Sequence, residues 1–152
     1  MSKIITSPIT ALLNATLASI HELANIETGK SDMITAPLLQ TDYGVLIGIV
    51  GDVKGRMFIM GETAAFVHAG VTMYGMELSG DMLESFVGEF GNSVAGHTAT
   101  KLYNQQAVKI DITPPTTMQG HVKLGGFNKA LQVPFRMANG AQGQLVLAVE
   151  ET

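Results

Sequence analysis

The chain has 152 residues, 46% hydrophobic and 14% charged, enough apolar material for one compact domain rather than a disordered segment. A net charge of −4 with only nine Lys and Arg argues against a nucleic-acid or anionic-lipid surface. The absence of cysteine excludes disulfides, thiol nucleophiles and Cys-based metal sites, and fits a reducing compartment. The longest strongly apolar run, Gly44 to Gly51, is far shorter than the roughly 18 residues of a membrane helix. Lys3 followed by apolar residues raises a signal peptide, but Thr6, Ser7, Pro8, Thr10 and Asn14 interrupt the run. The expectation is therefore a cytoplasmic protein with no membrane segment.

In chain order, Ser7-Pro8 is a helix start, with Ser as N-cap and Pro in the first turn. Ile9, Leu12, Leu13, Leu17, Ile20 and Leu23 follow at helical spacing, and the helix should end near Glu27 to Gly29. Met33 to Gln40 and Tyr43 to Val50 read as strands, and Gly51 to Gly55 as a turn into a strand at Arg56 to Met60. Glu62 to Tyr74 reads as a second helix and Asp81 to about Tyr103 as a third, the longest. Strands resume at Val108 to Thr113, His121 to Leu124, Leu131 to Met137 and Gln144 to Val149, with Asn139-Gly140 as the last hairpin turn. This order predicts an α+β fold, a mainly antiparallel sheet with three helices on one face. A repeat is visible, since Ser7, Asn14 and Pro37 each precede Ser85, Asn92 and Pro115 by 78 residues. Gly51-x3-Gly55 resembles Asn139-x3-Gly143 at a different offset. One domain over 1–152 is expected, with a pseudo-twofold pair of halves at about 7–61 and 79–150.

The third helix carries the chemistry. At about 100° per residue, Leu83, Val87, Phe90 and Val94 form a stripe that should be buried. Ser85, Glu89, Asn92 and Gly96 lie within about 60° of one another on nearly the opposite side. A carboxylate and an amide thus stand one turn apart on an exposed face. An exposed Glu on a helix is ordinarily solvated surface, whereas Asn is a poor residue for a helix interior and so more informative. Gly88, Gly91 and Gly96 each cost about 1 kcal/mol against Ala there. They leave room either for the approach of another backbone or for close helix–sheet packing, and Gly91 suits the second.

Ser85-x3-Glu89-x2-Asn92-x22-Pro115 matches the Asp/Ser-x3-Glu-x2-Asn-x22-Pro pattern of the CheC/CheX/FliY chemotaxis phosphatases, and the chain resembles that family over its whole length. In the first half, Ser7-x3-Ala11-x2-Asn14-x22-Pro37 has Ala11 at the acidic position. The single intact motif makes the chain look like CheX-like members, with an inactive first half and a structural Asn14. The resemblance implies a phosphatase acting on the aspartyl phosphate of a CheY-like receiver domain. Asn92 would orient the attacking water, and Glu89 would pair with the receiver's active-site lysine. It implies no cofactor on this chain, Mg2+ on the receiver, and a homodimer. Ser85 and Gly96 stand as supporting positions, and Pro115 would shape the strand end beside the helix. The alternative is a non-catalytic adaptor of the same fold that docks a receiver or a flagellar-switch component.

Other signals are weaker. Gly91-x-Ser93-x-Ala95 lacks the strand-to-helix turn of a nucleophile elbow. His21-Glu22 lacks the second His of a zinc-protease helix, and His21, His68, His97 and His121 have no ligand spacing. His97 follows the motif and is more simply a packed or surface residue. Gly51-x3-Gly55-Arg56 lacks the Gly-Lys-Ser/Thr of a phosphate loop.

Overall fold

The computed structural model describes residues 8–34, 38–123 and 130–150, so Ser7, Pro37 and Leu124 lie outside the described residues. Helix α1 spans Pro8–Ala24. It stops short of the expected Glu27 to Gly29 because Asn25 turns left-handed, with φ 51°. The chain then enters strand β1 (Glu27–Thr28), too short to leave a periodic signal, followed by β2 (Asp32–Ile34). Strand β3 runs through Leu38–Gly51, where two strands were expected, and β4 covers Gly55–Gly61. Helix α2 is Thr63–Tyr74 and α3 is Gly80–Gln106, slightly longer at both ends than its apolar periodicity. Strand β5 is trimmed to Ile110–Ile112, and β6 extends forward to Thr116–Lys123. Strands β7 (Ala130–Arg136) and β8 (Gln142–Val149) close the chain. They are joined by the Asn139-Gly140 turn, where Gly140 has φ 88°.

Every strand pairing among the described residues is antiparallel, in the order β1-β7-β8-β4-β3-β5, with β2 also on β7 and β6 also on β3. The order is symmetric about the central β4–β8 pair, where Phe58 stands opposite Val146. β3 flanks the centre on one side and β7 on the other. The outer pairing of each is interrupted over two residues, Val133–Pro134 on β7 and Ile47–Gly48 on β3. On β7 the break falls at Pro134, which has no N–H for an outer strand and whose carbonyl accepts the Gly29 N–H at 2.8 Å. On β3 it falls at Gly48, which exchanges hydrogen bonds with Thr113 instead (Gly48 N–H to Thr113 Oγ1 and Thr113 N–H to the Gly48 carbonyl). Strands β1 and β2 thus reach across the sheet to β7, and β5 and β6 reach back to β3.

All three helices pack on one face. A single core cluster joins Leu12 and Ile20 of α1, Phe66 of α2, and Phe90 and Val94 of α3 to Val45, Ile47, Ile59, Leu145 and Leu147 of the sheet. The alternate residues Phe58, Met60, Val146 and Ala148 form a second, smaller cluster on the other face. The middles of β4 and β8 are thus buried on both sides, which is why they read as continuous apolar runs. The expected pause near Thr41 is a bulge in β3, one extra residue between Thr41 and Gly44 opposite β6. It places the Asp42 carboxylate against the start of α2, where Oδ2 accepts the Thr63 N–H at 2.9 Å. Glu62, at the N-cap position, makes no side-chain cap bond, so the cap comes from the neighbouring strand.

Candidate active site

The site stands on α3, and the buried side of that helix explains its placement. Leu83, Phe86, Val87, Phe90, Gly91, Val94, Ala95, Thr98 and Leu102 are all buried, a wider stripe than four apolar positions suggest. Gly91 lets the helix lie close on β3, since a Cβ there would come within 2.5 Å of Val45 Cγ1. Gly88 plays a similar part, with Thr117 Cγ2 3.3 Å and Pro115 Cγ 3.8 Å from where its Cβ would be. Pro115 thus lies beside the helix one residue before Glu89, in the segment between β5 and β6. Phe90 is also held by rings, with Phe66 at 6.0 Å edge-on and Phe86 at 5.9 Å. Tyr74 meets Phe86 edge-on at 5.5 Å.

Helix α1 braces the other flank. The Thr98 hydroxyl reaches both its own Val94 carbonyl at 2.7 Å and Ser19 Oγ at 3.4 Å. Further along, Lys101 Nζ donates to Glu22 Oε1 at 2.6 Å. The hydrogen bond from Lys101 holds the Glu22 carboxyl below the usual glutamate range, despite some opposing desolvation.

On the opposite side of the helix, Ser85 and Glu89 are exposed and Asn92 is half-buried. Glu89 and Asn92 are separated by about 4.5 Å of axial rise, so both side chains address the same volume of solvent. Neither side chain, nor that of Ser85, makes a hydrogen bond or ion pair among the described residues. Gly96, one turn further, has nothing among the described residues within 4 Å of where a Cβ would stand. The structure therefore brings Ser85, Glu89, Asn92 and Gly96 onto one open face. His97 lies at its flank, exposed, with Nδ1–H donating to the Ser93 carbonyl at 2.8 Å. Among the described residues no three His, Asp or Glu side chains come together as a metal site would need. A cavity of about 650 Å³ lies elsewhere, between β1 and the Thr41–Asp42 bulge, and shares no residue with this face.

The family model for the chemotaxis phosphatase CheX matches residues 43–135, a span that includes α2, all of α3 and Pro115. The chain belongs to the CheX family. This CheX-family chain is 30% identical to the CheY-P phosphatase CheX of Thermotoga maritima over 149 residues, covering 93% of this chain and 95% of that protein. Among solved structures it is similar to a chain of the CheX-CheY-BeF3-Mg2+ complex from Borrelia burgdorferi. There the TM-score is 0.75 and the identity 25%, over 95% of this chain and 99% of that one. A CheC-like superfamily protein from Shewanella shares the fold with TM-score 0.76 and 22% identity, over 94% and 97% of the two chains. No helix among the described residues is long and apolar enough to cross a membrane.

Two exposed apolar residues on the same helix, Met82 and Tyr103, were not singled out by sequence reasoning. Continuing the 100° count from Ser85 to both ends of the helix would have found them.

Proposed function

We propose that this CheX-family chain hydrolyses the aspartyl phosphate of a CheY-like receiver domain, with Glu89 and Asn92 as the working pair. The observation that carries the reading is that a carboxylate and an amide stand side by side, unengaged, on the open face of a helix whose other face is locked into the core. An aspartyl phosphate is an activated acyl phosphate. Water adds to phosphorus, the bond from phosphorus to the aspartate oxygen breaks, and the carboxylate leaves with inorganic phosphate as the other product. Such a reaction needs placement more than covalent help. The Asn92 amide positions the water by hydrogen bonding and takes no proton. Glu89 pairs with the receiver's active-site lysine and sets the docking register. The Mg2+ that neutralises phosphoryl charge belongs to the receiver, and the encounter is proposed to take place in the cytoplasm.

The first half is proposed to be catalytically silent. Ala11, 78 residues before Glu89, is partly buried against the core, and Asn14 is exposed without an acidic neighbour at that position. A homodimer through a sheet edge belongs to the same proposal, the sheet ending in β1/β2 on one side and β5/β6 on the other. Light scattering tests it directly.

The test of the function follows the decay of a phosphorylated receiver with Mg2+, with and without the chain. Asn92→Ala is expected to abolish the acceleration and leave receiver binding largely intact, whereas Glu89→Ala weakens both. Equal acceleration by the wild type and both variants would refute the assignment. Phosphorylation-dependent binding without acceleration would turn the chain into an adaptor.

A further inference from the structure

Three glycines lie on or beside the site in α3, and the structure separates their reasons. Gly91 faces Val45 and Gly88 faces Thr117, so the fold itself needs small residues at both positions. Gly96 is different. It is in the interior of a 27-residue helix, where glycine costs about 1 kcal/mol against alanine. Nothing among the described residues lies within 4 Å of the missing Cβ, and its φ is not left-handed. Neither packing nor backbone conformation calls for glycine there. Yet Gly96 is one turn beyond Asn92 on the same face.

The ends of that face carry a second observation. Met82 is 62% exposed and Tyr103 61% exposed, two large apolar side chains in solvent. At 100° per residue they fall within about 80° of Glu89, Asn92 and Gly96 on the helix. They lie about 31 Å apart along the axis, roughly the diameter of a small domain. Asn92 is nearly midway, about 15 Å from one and 16 Å from the other.

We propose that the face from Met82 to Tyr103 is the footprint of the receiver domain, with Gly96 as the position where the receiver's backbone comes closest to α3. The inference rests on the proposed function and adds to it how the partner is seated. Met82 and Tyr103 act as apolar anchors at the two ends, and the pair Glu89/Asn92 is delivered between them. Glycine at position 96 is kept for clearance, at a cost to helix stability that the isolated chain does not recover.

The experiment uses the full chain, a receiver domain loaded with beryllofluoride and Mg2+ for binding, and the phosphorylated receiver for turnover. Gly96→Ala should leave Tm equal or higher, because alanine is the better helix former. The same variant should bind the activated receiver about tenfold more weakly, and Gly96→Leu should lose about a hundredfold. Met82→Ala and Tyr103→Ala should each raise KM and leave kcat unchanged. A lower Tm for Gly96→Ala would show that the fold does require the glycine and would overturn the inference. Unimpaired binding by Gly96→Leu, with turnover still dependent on Asn92, would overturn the footprint alone. A wild-type chain that neither binds nor dephosphorylates the receiver would overturn both the footprint and the proposed function.

Discussion

Gly91→Ala makes the opposite case to Gly96→Ala in the same helix. The added methyl would stand 2.5 Å from Val45 Cγ1, 2.7 Å from Cγ2 and 3.1 Å from Cβ. Val45 is fully buried and β-branched, in a strand paired on both sides to β4 and β6, so it has no direction in which to yield. Overpacking of this kind costs about 1–3 kcal/mol, and the better helix propensity of alanine returns up to about 1 kcal/mol. The expected net loss is about 1–2 kcal/mol, a fall in Tm of roughly 2–8 °C for a chain of this size. If the helix instead rises from the sheet, the adjacent Asn92 moves with it, and a displacement near 1 Å is expected to lower the rate about a hundredfold. Urea melts and the receiver-phosphate decay assay read the two effects separately. The double variant Val45→Ala/Gly91→Ala opens the space that the methyl needs. It should therefore be more stable than the two single losses predict by addition, with a coupling of about 1 kcal/mol. A Gly91→Ala protein as stable as wild type, with additive behaviour in the double variant, would refute the close-packing argument and the account of how α3 is held.

Asp42→Ala removes the acceptor for the Thr63 N–H and should cost about 1 kcal/mol, seen as a fall in Tm of about 2–4 °C, because no side chain on α2 itself replaces the cap. Glu22→Gln tests the bridge between α1 and α3 through pH. The folded carboxyl titrates below its usual value, so its contribution is present above the unfolded pKa and is lost as pH falls through the folded one. The Tm difference between Glu22→Gln and wild type should therefore be small at pH 7, vanish in acid and shrink in high salt, the last because the carboxylate is open to solvent. A difference that does not fall as the pH is lowered would show that the glutamate acts by packing.

Most of α3 was legible because one physical signal ran its whole length. Leu83, Val87, Phe90 and Val94 recur at the helical period and are all buried, and that same period fixed Glu89 and Asn92 on the exposed side. The strands were harder. Thr41-Asp42 looks like a break in the sequence, but the backbone passes through it as a bulge and uses Asp42 to cap another element. β1 is two residues long and exists only because β7 offers an edge to it. β6 begins with Thr116 and Thr117, which carry no apolar alternation, and is held by register against Val45 and Leu46. Nor could the sequence sort the glycines. Gly88, Gly91 and Gly96 are the same residue in the same helix, and only the neighbours supplied by β3, by β6 and by the segment before β6 distinguish them.

Those neighbours also bear on how the proposed chemistry can sit on an exposed helix face at all. A mechanism of positioning tolerates little movement of the positioning groups, and surface side chains are usually mobile. Here the backbone carrying Asn92 is fixed from three directions. Val45 meets Gly91 from the sheet, the rings of Phe66 and Phe86 meet Phe90 from α2 and from α3 itself, and Ser19 meets Thr98 from α1. No such contact restrains the Glu89 and Asn92 side chains, which make no bond within the described chain. The fold thus fixes where the two groups start from and leaves their final orientation to whatever enters the face between Met82 and Tyr103. Rigidity of the backbone and freedom of the side chains are in this way two sides of one helix, and loss of the buried contacts should be felt first as lost turnover rather than as lost fold.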